Sequence, residues 1–212
     1  LVNAAADENC RRCHASLLAE DAVNADQGAE QPGTRGLGRR VIWICGTTLL
    51  LLFAAYMSLL LTAEELGFEQ RQAVKQAIAV LQQKGFAKEA FVLGNLVEYR
   101  STDNWWNKSV GHHSAYAATN FPFEVMTLYP EFFNTAVDDT ERAAILLHES
   151  IHLYGAGEEA ALEGVWRDKQ RLGWTGDKYG QTKVWNNTRE LTATSLPKLF
   201  QCGTDGHSDC IQ

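Results

Sequence analysis

Residues 143–155 read Ala-Ala-Ile-Leu-Leu-His-Glu-Ser-Ile-His-Leu-Tyr-Gly, an apolar run around a His-Glu-x-x-His core. The run reads as helix, and positions four apart on a helix stack on one face. His148 and His152 therefore present two imidazoles to one point. Glu149 follows His148 by about 100° round the axis, within reach of a water held at that point. Two imidazoles, an open coordination position and a carboxylate base are what metal-assisted hydrolysis requires, and zinc is the ion that this donor set fits. Asp138 stands at the N-cap position, Glu141 three residues later completes a capping-box pattern, and Gly155 supplies the stop. The helix so bounded is about four turns long, with both histidines in its last two turns.

Upstream, Val41 to Leu61 reads VIWICGTTLLLLFAAYMSLLL and carries no charge. At 1.5 Å per residue, about 21 residues cover a hydrocarbon core of roughly 30 Å. The spacing predicts a transmembrane helix over residues 41–62. Arg35, Arg39 and Arg40 precede it and Glu64, Glu65 and Glu69 follow. The positive-inside rule then places residues 1–40 in the cytoplasm and residues 63–212 on the far side, periplasmic or extracellular. A cleaved signal peptide is the competing account, with Leu61-Thr62-Ala63 as a small-residue site. The apolar core exceeds a signal h-region, which favours a retained single-pass anchor.

The 212 residues are 45% hydrophobic and 21% charged, which excludes a wholly disordered or fibrous chain. The net charge is −7, and no cluster of Lys and Arg offers phosphate contacts, so nucleic acid is not an expected partner. Residues 1–40 are rich in Ala, Asp and Gly and read as mostly disordered. Within them Cys10-Arg11-Arg12-Cys13-His14 has the form of a c-type haem attachment site, which the cytoplasmic placement opposes. A metal knuckle shared across a dimer and plain reduced cysteines are the other readings.

Residues 64–84 have apolar positions at helical spacing and predict an amphipathic helix ended by Gly85. Residues 87–99 fit a second helix or a helix followed by a strand. Arg100 to Gly111 reads as a loop whose Trp105 and Trp106 tuck under the domain. His112 and His113 are adjacent and point to opposite faces of any strand, so they suit polar contacts near a cleft better than one metal. Phe121 to Tyr129, FPFEVMTLY, is the best strand, with Pro122 suiting an edge. An edge strand there offers β-augmentation to an extended peptide, or is an ordinary strand with no substrate role.

After Gly155-Ala156-Gly157, residues Glu158 to Leu172 predict another helix folded back along the first. A catalytic zinc needs a third protein ligand, and this helix opens with carboxylates. Glu159 is preferred because it shares a face with Leu162 and Trp166. Glu163 is the second choice, or a hydrogen-bond partner of a histidine, and Glu158 the third. All three also suit a solvated first turn with no metal. Tyr179 or Tyr154 could hydrogen-bond an oxyanion. Cys202 and Cys210 enclose a polar loop that an oxidising compartment would close as a disulfide. Asn107-Lys108-Ser109 and Asn186-Asn187-Thr188 match the glycosylation pattern.

On His148-Glu149-Ser150-Ile151-His152 the chain resembles the zincin metallopeptidases. The strand, the Pro130-Glu131-Phe132-Phe133 step and the helix beginning near Glu141 are similar to their active-site layout. A glutamate in the following helix resembles the gluzincin arrangement. Gly155-Ala156-Gly157-Glu158-Glu159 is similar to the aspzincin turn, with Glu159 at the Asp position. In the metzincin pattern Glu158 stands where a third histidine belongs. The resemblance covers residues 112–175 and implies a small α+β zincin-like domain, zinc held between two helices, and peptide or protein as substrate.

The resulting expectation is a membrane-anchored zinc metallopeptidase with Glu149 as general base. A non-catalytic zincin scaffold, or a membrane sensor using the Cys10/Cys13/His14 segment, is the alternative. A third is a hydrolase of another amide, such as one in cell-wall peptide. From residue 63 on, 14 Lys and Arg stand against 20 Asp and Glu, which disfavours anionic polymers. Specificity and oligomeric state have no reading in the sequence.

Overall fold

The computed structural model describes residues 35–110 and 116–201. The Cys10/Cys13/His14 segment, the His112-His113 pair and the Cys202/Cys210 pair lie outside the described residues. The chain divides into two units, Leu1–Phe53 and Ala54–Gln212.

Helix α1 (Arg35–Leu61) begins in the first unit and ends in the second. Its stretch Gly36–Leu61 is long and apolar enough to cross a membrane, with mean hydropathy 2.1 and 6% of its most apolar window buried. Ile42, Trp43, Leu49 and Phe53 are all exposed. The core helix of a water-soluble domain would bury such side chains.

The second unit is mostly helical with one small sheet, an α+β arrangement. Its helices are α2 (Phe68–Gln83), α3 (Ala87–Asn95), α4 (Trp105–Val110), α5 (Pro130–Asn134), α6 (Asp139–His152), α7 (Glu158–Leu172), α8 (Gly176–Tyr179) and α9 (Lys183–Ser195). A 3₁₀ turn follows at Pro197–Phe200. The strands are β1 (Glu98–Arg100), β2 (Ala117–Asn120) and β3 (Val125–Leu128), in the order β1-β3-β2. β1 runs parallel to β3, and β2 antiparallel to it.

Helix α6 is the centre of the core. Eight of its fourteen residues are buried, including Ala143, Leu146 and Leu147. It packs on Val74, Ala77 and Leu81 of α2, and α7 runs back along it. Trp166, Trp174 and Trp185 close the far end of this layer, with ring centroids 4.8–6.3 Å apart, and Phe200 stands 5.5 Å from Trp166. Fully burying a side chain as large as Leu or Phe stabilises a fold by about 1.5–3 kcal/mol, so this layer holds α6 firmly.

Several expected boundaries shift. α2 starts at Phe68 rather than at residue 64, because Glu64–Leu66 run extended: Glu65 bridges Arg100, and Ser101 N–H donates to Glu64 O at 2.8 Å. Residues 87–99 are a helix followed by a strand. The expected edge strand is corrected twice. Its paired part is only Val125–Leu128, and it is the central strand, buried at every position. Burial on both faces removes the apolar–polar alternation that marks a half-buried strand. Residues 121–124 form the turn between β2 and β3, and the edge that faces α6 is β2. Residues expected as loop include the short helix α4. Its indoles do not tuck under the domain, Trp105 being 44% and Trp106 52% exposed. Asn107 is the residue turned inward, buried and donating its side-chain amide to Thr127 Oγ1 at 3.1 Å. That amide is enclosed, so the glycosylation pattern at Asn107 is not accessible in the folded chain, whereas Asn186 is exposed on α9.

Candidate metal centre

The site begins with how α6 is fixed. Asp138 Oδ1 accepts from Thr140 N–H at 3.0 Å and Glu141 N–H at 3.1 Å, the expected N-cap. The capping box does not close on Asp138. Glu141 is fully buried and turns its carboxylate to Val137 N–H at 3.0 Å, Trp174 Nε1–H at 3.4 Å and the Thr182 hydroxyl. The start of α6 is thereby bound to the segment after α7. At the other end, α6 stops at His152, and Gly155, with φ 77°, lets the chain reverse.

The reversal brings three ligand atoms together. His148 Nε2 and His152 Nε2 are 3.2 Å apart, and Glu158 Oε2 is 3.2 Å from His152 Nε2 and 3.5 Å from His148 Nε2. A tetrahedral zinc site with bonds of about 2.0–2.1 Å has ligand atoms about 3.3–3.4 Å apart, so the triad has the edge lengths of such a site. The proton placement agrees. His152 Nδ1 lies 2.9 Å from the Ala156 carbonyl, which can only accept, so Nδ1 carries the hydrogen. The neutral ring then directs its Nε2 lone pair at the space between His148 Nε2 and Glu158 Oε2, the state that a metal would require. Without a metal the same atoms form an ion pair. The Glu158 carboxylate raises the His152 imidazolium to about 9, and the two histidines hold the Glu158 carboxyl well below the usual carboxylate range.

Of the three candidate glutamates the structure brings Glu158 to the two histidines, and the preference for Glu159 is corrected. The buried face of α7 comprises Ala161, Leu162, Val165, Trp166, Lys169 and Leu172, and its centre lies between Val165 and Lys169. Both glutamates are exposed, but Glu158, one turn before Ala161 and Leu162, stands in line with the centre of that face, while Glu159 lies about 100° round the axis from it. Side chains on a helix lean toward its N-terminus, so the first residue of α7 reaches back over the end of α6. Glu163 is taken up in an ion pair with Arg167, at 2.7 Å.

Glu149 is buried and one of its oxygens is held in place: Thr119 Oγ1–H donates to Oε2 at 2.6 Å. Thr119 lies on β2 with its side chain toward α6, a role no local signal in the sequence marks. A cavity of about 730 Å³ opens beside the triad. Ile145, Leu162, Val165, Trp174 and Val184 form apolar wall, and Tyr116, Asn187 and Thr188 are among its polar groups. Neither tyrosine singled out from the sequence lines it. Tyr179 is buried at the opposite end of α6, donating to Asp138 Oδ2 at 2.8 Å, and Tyr154 is half-exposed under the Lys88 ammonium. The tyrosine in the cavity is Tyr116, whose hydroxyl oxygen accepts from Asn187 Nδ2–H at 2.9 Å and whose pKa burial pushes up, keeping its O–H as a donor.

The backbone of β2 is available on its outer side. Tyr129 N–H donates to Tyr116 O at 3.0 Å, and hydrogen-bonded pairs alternate along an antiparallel ladder. In the observed register Ala118 and Asn120 therefore bond toward β3, while the N–H and C=O of Ala117 and Thr119 point outward. Among the described residues no strand pairs with that side. No family model, no curated protein and no solved structure matches this chain.

Proposed function

We propose that this chain is a membrane-anchored, zinc-dependent peptidase whose site is built by His148, His152, Glu158 and Glu149. The observation that carries the reading is the triad of ligand atoms at tetrahedral spacing, with a buried carboxylate beside it and a cavity in front of it. A zinc ion held by this donor set supplies Lewis acidity, bringing the pKa of a water toward neutrality and polarising a carbonyl. The Thr119 hydroxyl occupies Glu149 Oε2 and leaves Oε1 to take a proton from the attacking water and deliver it to the leaving amine. An extended peptide pairs with the outward N–H and C=O groups of Ala117 and Thr119, which lays its backbone along the cavity. Tyr116 donates its O–H toward the substrate carbonyl from the cavity wall. The anchor is α1, with residues 63–212 on the extracytoplasmic side, as the flanking charges imply.

The test is hydrolysis of a generic unfolded protein by the purified full chain in detergent. Cleavage that a chelator abolishes and added zinc restores is expected. Glu149→Gln is expected to keep one zinc per chain and the same fold while losing at least about 1,000-fold in kcat. A Glu149→Gln chain with full activity would exclude the assignment. A wild-type chain that binds zinc and cleaves nothing would favour the non-catalytic scaffold.

A further inference from the structure

Helix α4 presents a second surface, at the end of the apolar helix and apart from the metal centre, whose interpretation rests on the reading of α1 as a membrane span. The segment leading into α4 is fastened to residues 58–65, all within the Ala54–Gln212 unit. Ser101 N–H donates to Glu64 O at 2.8 Å, and Glu64 N–H donates to Thr102 Oγ1 at 2.9 Å. Trp105 N–H donates to Thr62 Oγ1 at 3.2 Å, and its indole Nε1–H to Ser58 Oγ at 2.9 Å. Ser58 lies in the last turn of the apolar stretch, which ends at Leu61. The Trp105 ring is thus held level with that last turn.

On the other side α4 is pinned by Asn107, whose buried amide joins Asn104, Asn120 and Thr127 in one hydrogen-bonded cluster. With the polar residue turned in, the apolar ones face out. Trp105 is 44%, Trp106 52% and Val110 56% exposed, and the two indoles meet edge to face with centroids 5.5 Å apart. Lys108 is exposed on the same short helix. Indoles, with an apolar body and one N–H, are enriched where a bilayer meets water, and a lysine can carry its ammonium to the headgroups while its stem stays in apolar surroundings.

We propose that Trp105, Trp106 and Val110 are a lipid-binding seat, by which the part of the chain that follows Leu61 rests against the interfacial layer of the bilayer that α1 crosses. The occupant is the lipid surface itself. The seat is continuous with the end of the span, and it carries one lysine rather than a basic cluster, so phosphatidylcholine suffices and anionic lipid is not required.

The test uses the full chain reconstituted in phosphatidylcholine vesicles, with and without lipid brominated near the glycerol, an indole quencher. The remaining indoles, Trp166, Trp174 and Trp185, are buried in the core and serve as an internal reference. In Trp43→Phe, bromolipid is expected to remove about two-fifths of the emission, the share of two interfacial indoles among five. Adding Trp105→Phe and Trp106→Phe should abolish that loss and leave the near-ultraviolet circular dichroism of the core tryptophans unchanged. The seat is overturned if the indoles of Trp43→Phe escape bromolipid and are quenched by aqueous iodide. It is overturned equally if neither agent reaches them, which would mean that protein covers the face. The separate chain Trp105→Phe/Trp106→Phe reports on α1 through Trp43. Quenching there, with none in Trp43→Phe, rejects the seat alone; no quenching in either chain rejects the span.

Discussion

His152 owes its usefulness to a contact on its far side. The Ala156 carbonyl holds a proton on Nδ1, which leaves Nε2 free to bind a metal, and the same Gly155-Ala156-Gly157 turn that provides the carbonyl also delivers Glu158. One reversal thus sets both the tautomer and the third donor. Glu158→Ala is expected to weaken zinc binding by at least about 100-fold, and Glu159→Ala to leave it within a factor of about three, as read by competition with a chromophoric chelator. The reverse order would return the site to the Glu159 reading. At the opposite end of α6, burial tends to raise the Asp138 pKa, but the Glu141 N–H, the Tyr179 hydroxyl and Lys178 outweigh it and hold it below the ordinary 3.8. A lowered folded-state pKa contributes stability that is present above pH 3.8 and is lost as the pH falls through the folded value. Asp138→Ala is expected to cost about 1–2 kcal/mol at neutral pH in denaturant titrations, with the gap to wild type shrinking in acid. A gap that widens below pH 3.8 would contradict this sign.

Helices α6 and α7 are the pair on which the site depends, and they meet closely at Gly164. A Cβ built there would stand 2.5 Å from Ile151 Cδ1, next to His152 in the chain. Two effects compete in Gly164→Ala: helix propensity gains about 1 kcal/mol, while overpacking costs about 1–3 kcal/mol. The contact is at a side-chain tip, so the net expected is a loss of about 1 kcal/mol. Removing the tip with Ile151→Val should reverse the sign, Gly164→Ala then stabilising by about 1 kcal/mol in thermal melts. The same sign in both backgrounds would exclude the clash. These two helices were legible because their caps, glycine stops and apolar spacing are local. α7 has the bounds read from the sequence, Glu158–Leu172, yet the glutamate that meets the two histidines is Glu158, one residue before the expected Glu159. Leu162 and Trp166 do face inward, but Ala161, Val165, Lys169 and Leu172 are buried with them, so Trp166 marks the edge of the face and Glu158 its centre line. The sheet was less legible. β2, Ala-Ala-Thr-Asn, has little β-propensity and forms against the buried β3.

For the whole chain, the uncharged stretch over residues 41–61 and the charges on either side of it lead to a topology test. With Arg35, Arg39 and Arg40 before the span and Glu64, Glu65 and Glu69 after it, protease with access to the extracytoplasmic face should digest residues 63–212 and spare an N-terminal tag. Digestion of the tag instead would invert the orientation. What the sequence by itself determined is whatever depends on near neighbours in the chain: the apolar stretch, the α6 helix with His148 and His152 one turn apart and Glu149 beside them, and the returning helix α7. The tertiary structure decided what depends on residues distant in sequence. It placed Thr119 on Glu149 across 30 positions, bound Glu141 to Trp174 and Thr182, made β3 central, and turned Trp105 and Trp106 outward. It also chose Glu158 over Glu159. A choice between adjacent helical residues is a rotation of about 100° about one axis, and that rotation is set by packing between two helices, which local propensity does not encode.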